Sequence, residues 1–110
     1  MTLSADDIRL RHLRDAAASA IAFTQGRDRA DLDDDEMLRL ALTKLVEIVG
    51  EAAKQVSSET RARYPRLQWI DAARMRDRLV HHYFDIDTDV LWATVTEDLP
   101  AVLDALGPLE

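Results

Sequence analysis

Apolar residues recur every three or four positions in four stretches of this chain, the spacing that lines one face of an α-helix. Leu10, Leu13, Ala17, Ala20 and Thr24 form the first stripe, Ile21 widens it, and Gly26 stops it. This predicts a helix from Asp6 to about Gln25. The acidic run 31–36 reads as a solvated lead-in that suits the positive end of a following helix. That second helix, about Asp34 to Val56, carries a wide apolar arc from Met37 and Leu38 through Leu42, Val46 and Val49 to Val56. Ser57-Ser58 end it, and residues 59–64 allow a short helical turn before Pro65. A third helix is predicted from Gln68 or Trp69 to about His82. Asp87-Thr88 cap a fourth, on which Leu91, Trp92, Val95 and Leu99 share a face. Pro100 can begin a further short helix that Gly107-Pro108 stops.

No repeat, low-complexity tract or linker interrupts this pattern, so residues 1–110 read as one domain. The expected architecture is an all-α, up-and-down bundle of four or five helices. The first two helices carry broad apolar faces for a modest core. Any part left exposed would suit a two-fold homodimer; alternatively, internal packing uses all of it.

Composition narrows the function. No apolar run approaches the roughly 20 residues of a membrane span. The opening MTLSADDIRLRH lacks a basic stretch followed by an apolar one, so no secretory signal is expected and a cytoplasmic setting is. With no cysteine, the chain has no disulfide, no thiolate metal site and no Cys nucleophile. Its three histidines, at 12, 81 and 82, are too few and too poorly spaced for a zinc site, so no metal or cofactor is expected.

The formal net charge of −7 argues against general polyanion binding, but it is unevenly spread. Residues 61–84 carry six arginines against Asp71 and Asp77, while residues 85–110 carry seven acids and no base. One basic island, all Arg, sits in an acidic chain. Arginine suits forked recognition of phosphate or carboxylate; pairing with the acidic flanks is the plainer explanation for any one of them.

Within that island lies Arg76-Asp77-Arg78-Leu79-Val80-His81-His82-Tyr83. On a helix turning about 100° per residue, Arg76 falls among Leu79, Val80 and Tyr83, a costly place for an unpaired cation. His81 then points roughly 140° away. A single ideal helix does not aim both at one point. Either it unwinds before His81, or the groups enter a cleft from different sides.

The Arg-x4-His-x-Tyr pattern of Arg76, His81 and Tyr83 resembles the signature of the HepT-like toxins in the HEPN superfamily. The surroundings agree in order and spacing: Glu47-Ile48-Val49-Gly50-Glu51-Ala52-Ala53-Lys54, Pro65, Trp69-Ile70, Met75-Arg76-Asp77, Leu79-Val80-His81, Tyr83-Phe84 and Asp98-Leu99-Pro100. The resemblance spans about residues 35 to 105. Asp77 stands where the family has Asn as often as Asp, and His82 is a second imidazole beside the motif position. The resemblance implies an all-α homodimer whose two motifs face each other across the interface. It also implies a metal-independent endoribonuclease, the toxin of a type II pair whose antitoxin is a minimal nucleotidyltransferase.

The residues suit that chemistry. His81, an imidazole with an ordinary pKa near 6.5, can take the RNA 2′-hydroxyl proton. Arg76 can hold two phosphate oxygens as charge builds, with Arg74 and Arg78 tracking the flanking backbone. Asp77, Glu51 and His82 stand in supporting positions. The phenol of Tyr83 is an expected acceptor for AMP from the antitoxin, or else a packing residue. The plainer alternatives are that Arg76 pairs with Glu47 or Glu51 and that His81 counters a helix dipole. At the level of the whole chain, the competing readings are a catalytically idle module that binds nucleotide or a partner and regulates a nucleotidyltransferase, and a purely structural dimer. Trp69 and Trp92 read as packing residues, and His12 as solvated.

Overall fold

Ser4 starts the first helix, α1 (Ala5–Phe23), with a reciprocal capping box: its hydroxyl accepts from Asp7 N–H, and the Asp7 carboxylate accepts from Ser4 N–H. The helix ends at Thr24, and Gly26 turns the chain with φ +73°, a conformation that costs glycine nothing. The computed structural model describes residues 3–82 and 85–109, with the backbone alone at His81 and His82. Tyr83 therefore lies outside the described residues, as do the side chains of both histidines.

Asp35 caps α3 (Glu36–Gln55), its carboxylate accepting from Leu38 N–H at 3.0 Å. Helices α1 and α3 pack antiparallel and form the centre of the core. Leu10, Leu13, Ala17 and Ala20 of α1, with Leu42, Val46, Val49 and Ala53 of α3, are essentially inaccessible. Their far ends are tied by polar bonds. Arg9 donates to the Gln55 carbonyl, and Asp6 accepts from Thr60 and from both the backbone and the hydroxyl of Ser57. Ser57 in turn caps the short α4 (Ser58–Ala62).

The acidic run leads into α3 as expected, with Asp33, Asp34 and Glu36 exposed, but it is also structured. Asp31–Asp34 form a helical turn, α2: Leu32 inserts fully into the core, Arg27 pairs with Asp31 and Asp35, and Arg29 pairs with Asp33 and with the distant Asp89. The short helix expected at Pro100 is present, as the end of a longer rod. Residues 88–106 make one rod, α7 (Thr88–Ala93), a π-helical turn (Thr94–Asp98) and α8 (Leu99–Leu106). Proline cannot donate a backbone bond, and its ring crowds the carbonyl four residues back. The wider turn before it, with Leu99 N–H bonded to the Thr94 carbonyl, relieves this and keeps Leu91, Val95 and Leu99 fully buried. Gly107, at φ +64°, ends the rod.

The expected third helix departs most from the wheel. It breaks at Arg74 into α5 (Trp69–Ala73) and α6 (Met75–Leu79), and it stops at Leu79 rather than His82. Val80–His82 are extended as β1, paired antiparallel with β2 (Asp85–Ile86), Val80 opposite Ile86 and His82 opposite Asp85 with a bulge between. Asp87 N–H takes the Leu79 carbonyl at 2.7 Å, so that carbonyl is satisfied without a further helical turn. Apart from this hairpin the fold is an all-α bundle, as the apolar pattern predicts. No helix among the described residues is long and apolar enough to cross a membrane.

Candidate active site

Gly50 places the arginine-bearing segment. A β-carbon there would lie 3.4 Å from the Ala73 carbonyl oxygen and 3.5 Å from that of Ala72. The end of α5 therefore rests on the backbone of α3, and a longer side chain would push it off. Ala72 and Met75 are buried beneath the joint, so Arg74, Arg76, Asp77 and Arg78 all face outward.

Arg76 is exposed, at 53% of its side-chain surface, and not embedded in an apolar arc. The arc does not exist in that form, because the residues from Val80 onward leave the helix. Arg76 Nε lies 3.6 Å from Glu47 Oε2 on α3, and Lys44 Nζ lies 3.6 Å from the other Glu47 oxygen. Of the two acids that could meet Arg76, Glu47 does so. Glu51, one turn further along α3, pairs with Lys54 at 3.5 Å and does not orient Arg76. Arg78 projects to the opposite flank of α6, where its Nη2 donates to the Asp71 carbonyl at 3.0 Å and pairs with the Asp71 carboxylate at 3.4 Å. Arg74 and Asp77 make no ion pair among the described residues.

An open groove of about 520 Å³ runs between α1 and α3, with Ile8, Ile48 and Ala52 on its floor and Lys44, Glu47 and Glu51 at its edge. His12 borders it, exposed as expected. Trp69 is a packing residue: it is buried, its indole donates to the Tyr64 carbonyl, and Arg61 lies over its ring. Which of Glu47 and Glu51 meets Arg76 is what the sequence alone left undecided. Their i, i+4 relation puts both on one face, and only the approach of α6 separates them.

The site therefore has exposed guanidinium groups on α6, a carboxylate loosely held against one of them, and an extended strand that carries His81 directly after the helix. Comparison with known proteins identifies the family of the whole chain. The ribonuclease HepT-like family matches residues 13–108. The chain belongs to this family. As a member it is a helical RNase of the HEPN class. It is 41% identical over 68 residues to a protein of Thermococcus cleftensis named "Probable ribonuclease HepT", the match spanning 62% of each chain. It is 32% identical over 93 residues to a candidate RNase of Methanocaldococcus jannaschii, covering 84% of this chain and 85% of that one. A candidate RNase of Caldanaerobacter subterraneus is 31% identical over 91 residues, covering 83% and 81%. No solved structure matches the chain.

Proposed function

We propose that this HepT-like chain is a metal-independent endoribonuclease toxin that works as a homodimer, with its RNA in a cleft shared by two motifs. One observation carries the reading. The helix bearing Arg76 ends at Leu79, so Arg76 and His81 stand on different elements and are freed from the divergence a single helix would impose. In this reading Arg76 binds the scissile phosphate and His81 takes the 2′-hydroxyl proton. The 2′ oxygen attacks phosphorus, the bond to the 5′ oxygen breaks, and the imidazolium returns a proton to that leaving oxygen. The products are a 2′,3′-cyclic phosphate and a 5′-hydroxyl, with no metal consumed or required.

Arg74 and Arg78 bind flanking phosphates, while Asp77, Glu51 and His82 line the site without touching the reacting atoms. The apolar floor of the α1–α3 groove supports a second copy as partner. A nucleotidyltransferase antitoxin neutralises the enzyme by attaching AMP to Tyr83. Each AMP adds about one negative charge and a bulky base where RNA phosphate must bind. Cleavage of labelled RNA in chelator by the wild type and histidine variants tests the catalytic part. Intact mass after incubation with the cognate nucleotidyltransferase, ATP and magnesium tests the regulatory part. Wild type gains AMP and loses activity, and Tyr83→Phe gains none.

A further inference from the structure

On the flank of α6 away from Glu47, a separate pocket of about 160 Å³ opens between α5–α6 and α8. Its floor is apolar and buried: Leu67, Ala72, Met75 and Val102. Arg66, Gln68, Asp71, Arg78 and Asp98 supply its polar wall. An apolar cavity of roughly 150 Å³ takes a benzene-sized ring, so this one has room for a single six-membered heterocycle. It is smaller than the roughly 300 Å³ at which sites for larger ligands begin.

Asp98 is the second observation. It belongs to the Asp98-Leu99-Pro100 stretch, to which the catalytic reading gives no role. It closes the π-helical turn ahead of Pro100, a distortion frequent at functional sites. Its half-buried carboxylate lines the pocket and makes no hydrogen bond or ion pair among the described residues. The other wall charges are engaged: Arg66 with Asp104, and Arg78 with Asp71. The pocket thus offers an apolar slot, one uncommitted carboxylate, and the side-chain amide of Gln68.

The geometry points to a base subsite: the pocket takes one unstacked cytosine of the RNA, with Asp98 accepting from its N4 amine. This rests on the ribonuclease reading and adds to it a sequence preference. A carboxylate is the side chain suited to the cytosine amine, whereas uracil presents a carbonyl oxygen at the same place. Gln68 can donate to the ring's remaining acceptors. Arg76 and Arg78 project about 200° apart on α6. The pocket lies across α6 from Arg76, about one helix width or 10 Å away, so a strand that binds Arg76 and crosses α6 reaches it. That distance is the reach of a neighbouring nucleotide.

The test is an NMR titration of the intact protein with cytidine 5′-monophosphate and, separately, uridine 5′-monophosphate. The cytidine nucleotide is expected to shift the amides of Ala72, Met75 and Ala101, and to bind at least about fivefold tighter than the uridine nucleotide. Asp98→Asn levels the two, because an amide can both accept from N4 and donate to O4. Ala101→Phe, at the exposed mouth, abolishes the shifts and supplies the comparison should Asp98→Asn fail to fold. Shifts centred away from the pocket, equal or tighter uridine binding, or full binding by Ala101→Phe would overturn the subsite. The titration needs no cleavage. Pocket binding by a protein that cuts no RNA would overturn the ribonuclease reading alone, and cleavage without pocket shifts would overturn the subsite alone.

Discussion

Glu47 on α3 holds Arg76 on α6 at 3.6 Å through one carboxylate oxygen while Lys44 approaches the other at the same distance. Arg76 is half exposed, and an ion pair in that setting contributes about 0–1 kcal/mol. An RNA phosphate can therefore displace Glu47 at little cost. Glu47→Ala is expected to change the melting temperature only slightly and to lower KM for RNA, since it removes a negative charge beside the phosphate site. Its kcat stays within a few-fold of wild type. Steady-state kinetics on a short labelled RNA check this, and a kcat as low as that of Arg76→Ala would make Glu47 part of the catalytic machinery.

Gly50 is expected to tolerate Ala and to reject Val. A lone β-carbon sits in ordinary contact with the Ala73 carbonyl and adds helix propensity. The methyls of Val reach further into α5 and lift α6 from α3. Overpacking of this kind costs about 1–3 kcal/mol, read from urea unfolding midpoints. Because α6 carries the arginines, Gly50→Val also loses RNA cleavage under conditions where it is still folded.

These two residues show what was legible in the chain. Burial periodicity is local, so the stripes of Leu10, Leu13 and Ala17, of Leu42, Val46 and Val49, and of Leu91, Val95 and Leu99 identify the long helices and their buried faces. The end of α6 is not local. It depends on Asp87 N–H reaching the Leu79 carbonyl and on Ile86 pairing with Val80, and the only nearby hint is the β-branched Val80. A helix carried to His82 would embed Arg76, and its exposure follows from the stop at Leu79. Pro100 stands in the first turn of α8 as expected, but the π turn before it joins α8 to α7 in one continuous rod. Met37 lies on the apolar stripe yet is 83% exposed, at the open start of α3.

Acid should loosen the contact between α1 and α4. Hydrogen bonds from the Ser57 hydroxyl, and then from Thr60, hold the Asp6 carboxyl below its usual range. The Arg27 guanidinium and then Leu38 N–H do the same for Asp35. A folded-state pKa below the unfolded value contributes stability that is complete above about pH 3.9 and is lost as pH falls through the folded value. Melting temperature is expected to stay level from about pH 7 to 5 and to fall below about pH 4. Asp6→Asn lowers it at neutral pH and flattens the acid limb, which thermal scans across pH measure.

A shared cleft makes subunit mixing informative. Arg76→Ala and His81→Ala proteins are each expected to be inactive. If a site draws on both chains, refolding them together restores part of the cleavage, because some heterodimers hold one complete set of groups. A strictly monomeric mass by light scattering would remove the shared cleft.

The central claim is that His81, one residue into the strand after α6, performs the proton transfer without a metal. Purified protein and labelled RNA in excess EDTA test it most directly, with wild type, His81→Ala and His82→Ala side by side. Wild type and His82→Ala are expected to cut and leave 2′,3′-cyclic phosphate ends, while His81→Ala falls by at least about 10²-fold. Cleavage that disappears in EDTA, or that survives in His81→Ala, would contradict the mechanism.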